Sequence, residues 1–125
     1  MSLLDNLYWY KAVITRVYDA DTIYADVDMG FGMMNKGDNG KGLSVRLAFI
    51  NAPEIRGEER PAGLVSKEWL QSKLPDGQEI ILHTIKWSGK YGRYIADVYI
   101  PDENGEYYKA NDELVKMGLA VYVDY

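Results

Sequence analysis

Cysteine is absent from this chain of 125 residues, histidine occurs once, and no apolar run approaches the length that spans a bilayer. The first absence removes both a disulfide framework and a thiolate metal site, and it leaves the redox compartment open. With neither thiolates nor a histidine pair, zinc is not expected. His83 lies in EIILHTIKW, a run with strand character, where a lone histidine reads as a structural residue rather than a ligand or base. The opening MSLLDNLYWY has neither the basic start nor the apolar core of an export signal, so a cytoplasmic protein with no membrane partner is expected. Positive charge is also scarce: 14 Lys and Arg against 19 Asp and Glu give a net charge of −5 and a pI of about 4.8. Such a chain does not coat nucleic acid through a general positive field, so any recognition of phosphate must be local.

What is abundant points to strands. Eleven tyrosines and three tryptophans suit a β-rich fold with amphipathic aromatic surface. The length fits one domain, residues 1–125, with a core that needs no covalent staple. Residues 8–18 and 22–29 read as a hairpin, with Ile23, Ala25, Val27 and Met29 on one face. Residues 30–42, GFGMMNKGDNGKG, hold five glycines and almost no periodicity, and read as a mobile loop. A strand follows at Val45. Beyond it a helix opens near Pro61, pairs Val65 with Trp69 and Leu70 with Leu74, and stops at PDG. Strands at 78–86 and 93–100 come next, then a short helix N-capped by Asn111 and ended by Gly118. Five strands, a helix between strands 3 and 4 and a C-terminal helix make an α+β chain built on a partly open Greek-key barrel of the OB type.

Three short segments carry residues suited to phosphate chemistry: DAD at 19–21, RLAFINAPE at 46–54 and KYGRY at 90–94. Each has an ordinary reading, since Asp suits turns and a strand arginine snorkels from a barrel rim. Together they offer more. Two arginines can hold one phosphate through forked, charge-assisted bonds. Asp21, Asn51 and a peptide oxygen beside Pro53 could meet a hard divalent cation, and a glutamate nearby could orient or deprotonate a water.

These segments resemble the staphylococcal nuclease, or thermonuclease, family. DADT stands for the family's usual Asp-Gly-Asp-Thr, and RLAFINAPE for its Arg-Leu-x-x-(Ile/Val)-Asp-(Ala/Thr)-Pro-Glu. KYGRY stands for Lys-Tyr-Gly-Arg, and NDELVKMGLA for Asn-x-x-Leu-Val-x-x-Gly-Leu-Ala. The resemblance runs in order along nearly the whole chain. It implies an OB-fold and a calcium-dependent phosphodiesterase that acts on DNA and RNA and leaves a 3′-phosphate. By the same resemblance Arg46 and Arg93 clamp the scissile phosphate, Glu54 serves the attacking water, and Lys90 and Tyr91 touch a terminal phosphate. Asp21 and the Ala52 main-chain oxygen bind the metal, with Asp19 in its outer shell.

Two departures stand against that pattern. Asn51 occupies the position of a second metal carboxylate, and it keeps an oxygen but no charge, so calcium affinity is expected to be low. The family's final helix is not expected after the Asn111 helix, and Tyr122 and Tyr125 are the candidates for its later substrate-contacting tyrosine. The neutral Asn51 and the acidic balance also fit a second reading, a non-catalytic OB module that binds single strands or a protein partner through its aromatics.

Overall fold

The structure is a computed structural model that describes residues 3–88 and 93–124, leaving out the side chains of residues 5, 6, 86–88 and 93. Long β-branched and aromatic runs build β1 (Trp9–Asp19) and β2 (Thr22–Asp28), joined by the tight Ala20–Asp21 turn. After β3 (Met34–Asn35) come β4 (Leu43–Leu47), β5 (Ile50–Asn51) and the helix α1 (Arg60–Lys73). The chain then runs through β6 (Glu79–Ser88), β7 (Arg93–Pro101), β8 (Tyr107–Lys109), α2 (Ala110–Lys116) and β9 (Val121–Tyr122).

Five strands close on themselves in the order β1, β2, β4, β7, β6 and back to β1. All of those pairings are antiparallel except β4 with β7, which run parallel. This is the OB-type Greek-key barrel, with α1 between the third and fourth barrel strands. Strand β1 is long enough to serve two partners: Ala12 lies opposite Val27 of β2 and also opposite Ile80 of β6. Register irregularities at Ile14/Arg16 and Val17/Asp19 add the bend that closure requires.

Alternation decides what fills the barrel. Ile14, Val17, Ile23, Ala25, Val27, Val45 and Leu47 face inward, while Arg16, Tyr24, Ser44 and Arg46 between them face out. Met29, expected on the inner face, lies past the end of β2 and is exposed. Helix α1 caps the barrel with Gly63, Ser66 and Leu70, and Leu74 follows at its end. Val65, paired with Trp69 in the sequence pattern, lies off this buried face and is exposed. The stripe runs at spacings of three and four from Gly63, which a count of apolar residues alone does not find.

Residues 30–42 also differ from expectation. They carry β3, which pairs Asn35 and Met34 with Val27 and Asp28, and a turn in which the Gly42 N–H donates to Lys36 O at 2.8 Å. Gly42 has a φ of +109°, and a Cβ there would sit 3.1 Å from Ala25 N and closer still to Thr15 Oγ1, so the segment packs tightly against the β1–β2 hairpin. His83 behaves as a structural residue. Its ring stacks on Trp9 at 4.1 Å, and Nδ1 lies 3.9 Å from the Asp97 carboxylate.

Asn111 is not an N-cap. Lys109 holds that place, without a side-chain capping bond, and Asn111 sits one residue inside the helix with its amide buried. Its Oδ1 accepts from Val98 N–H at 2.9 Å, and its Nδ2 donates to Ala48 O at 3.0 Å and to Ala96 O at 3.3 Å. One side chain thus ties α2 to β7 and to the turn after β4. Buried backbone groups left unpaired cost about 1–3 kcal/mol each. Asn111→Ala is accordingly expected to lower stability by about 3 kcal/mol in urea unfolding followed by tryptophan fluorescence. A loss below about 1 kcal/mol would show that these bonds are replaced.

Candidate functional site

The site grows from the turn between β1 and β2. The Asp21 N–H donates to Asp19 Oδ1 at 3.1 Å, a local turn bond of the kind aspartate makes readily. The Asp21 carboxylate is buried, and partners from three segments satisfy it. Thr22 Oγ1 reaches Oδ1 at 3.2 Å, Arg46 Nη1 on β4 lies 3.2 Å from the same oxygen, and the Ala52 N–H donates to Oδ2 at 2.9 Å. Leu47 N–H meets the Asp21 carbonyl at 2.9 Å, so β4 is registered against this turn by main chain as well.

Arg46 faces out between the core residues Val45 and Leu47 and turns back over the loop that follows. Its Nη2 donates to Ile50 O at 3.1 Å and to Asn51 Oδ1 at 3.2 Å. The chain can return on itself because Phe49 adopts a left-handed conformation, with φ +59°. A bulky residue there carries strain of order 1–3 kcal/mol. The surroundings hold it: Ala48 N–H donates to Ala96 O at 2.8 Å, Asn111 holds Ala48 O, and Val123 N–H donates to Phe49 O at 2.9 Å. Strand β9 pairs with β5 and places Val121 opposite Asn51 and Tyr122 opposite Ile50. The Tyr122 hydroxyl donates to Asp112 Oδ1 at 3.0 Å. Tyr125 is outside the described residues.

Glu54 is exposed and follows Pro53 on a loop gripped from two sides. Its N–H donates to Glu59 Oε2 at 2.8 Å, and Arg60 Nη1 holds Ile55 O at 2.9 Å. Gly63 of α1 lies against the same loop. A Cβ on Gly63 would stand 2.6 Å from the Glu54 carbonyl carbon and 2.9 Å from Pro53 O, so only glycine lets the helix approach this closely. A glycine inside a helix costs about 1 kcal/mol relative to alanine, which is the sequence signal that could have found it. The sequence reading also left out Thr22, whose hydroxyl is visible in DADT but whose role depends on the Asp21 rotamer.

The electrostatics follow from the crowding of acids. Asp19 is pushed up to about 7 by burial first, then by its hydrogen bond with Asp21 and the Asp21 charge, with Glu54 adding to the rise. Burial alone would raise Asp21 too, but bonds from Asp19, the Ala52 N–H and Thr22, with the Arg46 charge, hold it below the usual carboxylate range. Of the two acids Asp19 is therefore the one that takes up a proton first, and near neutral pH it is only partly ionised while Asp21 stays charged.

The structure thus brings Asp19, Asp21, Arg46, Asn51 and Ala52 together, with the Glu54 charge felt at Asp19. For Arg93 only the backbone is described. It opens β7, two residues before Ile95, which pairs with Arg46. Lys90 and Tyr91 lie outside the described residues. Among the described residues, no three Asp, Glu or His side chains converge as a metal-binding group, and no helix is long and apolar enough to cross a membrane.

A small OB-type barrel with an acid and arginine cluster at its first hairpin turn is the class that fold and site define. The model of the family described as staphylococcal nuclease homologue matches residues 44–125, a span that includes Arg46, Asn51, Ala52, Glu54 and Arg93. The chain belongs to that family. It is 26% identical to an uncharacterized protein of Methanocaldococcus jannaschii over 98% of its own length, and it spans 64% of that curated relative.

Two outcomes test the geometry. Asp19 binds its proton more tightly folded, at about 7, than its ordinary value of 3.8. Its contribution to stability is therefore full below about pH 4 and is lost as pH rises toward 7. Asp19→Asn mimics the protonated acid and should raise the metal-free melting temperature at pH 8, the gain shrinking toward pH 4; an equal change at both pH values would contradict the raised Asp19 value. Gly63→Ala should destabilise by about 1–3 kcal/mol in urea despite the better helix propensity, because the Pro53–Glu54 chain must move. A stabilised variant would show that the loop yields freely.

Proposed function

We propose that this chain is a phosphodiesterase that hydrolyses DNA or RNA. The observation that supports the reading best is the meeting of Asp21, Arg46, Asn51 and Ala52, drawn from three segments, beside an exposed glutamate. In this reading Arg46 and Arg93 hold the two non-bridging oxygens of the scissile phosphate and offset the charge that builds in the transition state. Glu54 orients a water and takes its proton as the water oxygen bonds to phosphorus. The bond from phosphorus to the 5′ oxygen breaks, that oxygen leaves as a hydroxyl by taking a proton from solvent water, and a 3′-phosphate remains. Lys90 and Tyr91 would contact a terminal phosphate.

The donors Asp19, Asp21, Asn51 Oδ1 and Ala52 O are all oxygens, and the Asp19–Asp21 pair concentrates negative charge that a hard cation would relieve. To that extent the set fits Ca2+, which when bound would supply positive charge against the phosphate. Arg46 already engages Asp21 and Asn51, and Asn51 brings no charge, so low affinity is expected. The same two facts favour the second reading, a barrel that binds single strands or a protein partner without cleaving.

Incubation with heat-denatured DNA, with calcium or with chelator, separates the two. Glu54→Gln and Arg46→Lys should each lower cleavage about 10²-fold or more, the lysine keeping a cation beside Asp21 while removing the fork. Folded variants that cleave as the parent does would refute the site. Asn51→Asp should tighten calcium about ten- to a hundredfold by calorimetry, since it adds a full charge beside the cation. Unchanged affinity would mean that this position is no ligand.

A further inference from the structure

On the outer face of the barrel the site is one row of a larger pattern. Asp19, Thr22 and Arg46 stand side by side on β1, β2 and β4. Arg16, Tyr24 and Ser44 form the next row on the same three strands, with Arg16 opposite Tyr24 and Tyr24 opposite Ser44. On β2 and β4 the rows are two residues apart, about 6.6 Å along the strand, so alternation turns the second row to the same outer face. Behind that row opens a cleft of about 810 Å³, walled by Arg16, Tyr24 and Ser44 on the sheet and by Asp38 and Lys41 on the segment after β3.

This wall is built rather than loosely draped. Thr15 Oγ1 donates to Lys41 O at 2.9 Å, and Gly42 allows the close approach to Ala25 already described. Arg16 lies within cation–π range of two rings, its guanidinium carbon 5.6 Å from the Tyr18 centroid and 5.8 Å from that of Tyr24. Tyr18 in turn accepts from Arg56 Nη2 at 3.4 Å, two residues beyond Glu54. In a chain of net charge −5, cations and tyrosines therefore run from the Glu54 loop to the cleft, whose walls carry two cations and one acid.

We propose that this cleft is the subsite for the nucleotide next to the scissile phosphate on a single-stranded chain. Arg16 and Lys41 take the neighbouring phosphate, and the base stacks on Tyr24 and the Arg16 guanidinium. A single strand fits, because its bases are free to stack while local cations track the backbone. The assignment rests on the phosphodiesterase reading, which supplies the direction of the chain from Arg46 toward Tyr24.

The test uses Arg16→Ala, Tyr24→Leu and Lys41→Ala, with Arg16→Gln and Lys41→Gln in reserve should an alanine variant fail to fold. Substrates are an oligothymidylate of eight nucleotides and bis(p-nitrophenyl) phosphate, a diester with no neighbouring nucleotide. The expected result is a KM for the oligonucleotide raised about tenfold per variant with kcat kept, and unchanged turnover of the small diester. The salt dependence of oligonucleotide binding should lose about 0.7 in slope with each cation removed. Variants that match the parent on both substrates and in salt slope would overturn the cleft while leaving the nuclease reading intact. Where the parent cleaves neither substrate, that reading has failed, and fluorescence anisotropy of the labelled oligonucleotide decides the cleft by itself. Tenfold weaker binding by the variants supports it, and binding equal to the parent's, or none by either, overturns it.

Discussion

A buried carboxylate must be satisfied by the protein or it will not stay charged, and Asp21 meets that condition only when three separate parts of the chain arrive together. The start of β2 supplies Thr22, β4 supplies Arg46, and the residue after β5 supplies the Ala52 N–H. Each donor also has a second duty. Thr22 pairs with Arg46 across β2 and β4, Arg46 gathers Ile50 O and Asn51, and Ala52 leads directly into the Pro53–Glu54 loop. The electrostatic need of one side chain is thus what draws the first hairpin, the β4 edge and the glutamate loop into one place.

That arrangement depends on close approaches that leave little room for adjustment. Phe49 holds a left-handed turn because Ala48 and Val123 fix its flanks, and Asn111 secures Ala48 from inside the molecule. Gly63 lets α1 lie directly on the Glu54 main chain. A strained turn and a helix glycine both cost stability locally, and both persist because the surrounding bonds over-determine them. The barrel core, from Ile14 to Val98, is what makes that tolerable.

Charge is organised at two scales. Over the whole chain acids outnumber bases, so long-range attraction to a polyanion is weak. Around the cleft beside β1 and β2 the balance tips locally, with Arg16 and Lys41 against the single acid Asp38 and with Arg16 over Tyr18 and Tyr24. Short-range, charge-assisted contacts are little affected by net charge at the screening lengths of physiological salt, which is how an acidic protein could hold phosphate locally.

Periodicity in the sequence determined the barrel strands, the existence of α1 and α2 and the order that makes an OB-type fold, because alternation and helix punctuation are local properties. The motifs around Asp21, Arg46, Asn51 and Glu54 were legible for the same reason, as residue types at fixed spacings. Asn111 was misread as a cap because its neighbours suit one, whereas its partners lie on β7 and after β4, far away in sequence. The packing face of α1 was not legible from its apolar residues, because Gly63, whose lack of a side chain sets where α1 packs, carries no apolar signal while the exposed Val65 does. Residues 30–42 looked featureless because the bonds that fasten them to the barrel run to Thr15 and to β2, outside the segment, while those within it are short turns. The pairing of Arg46 with Asp21 and the second row at Arg16 and Tyr24 arise from strand register, and the rise of Asp19 from burial, relations that only the closed barrel decides.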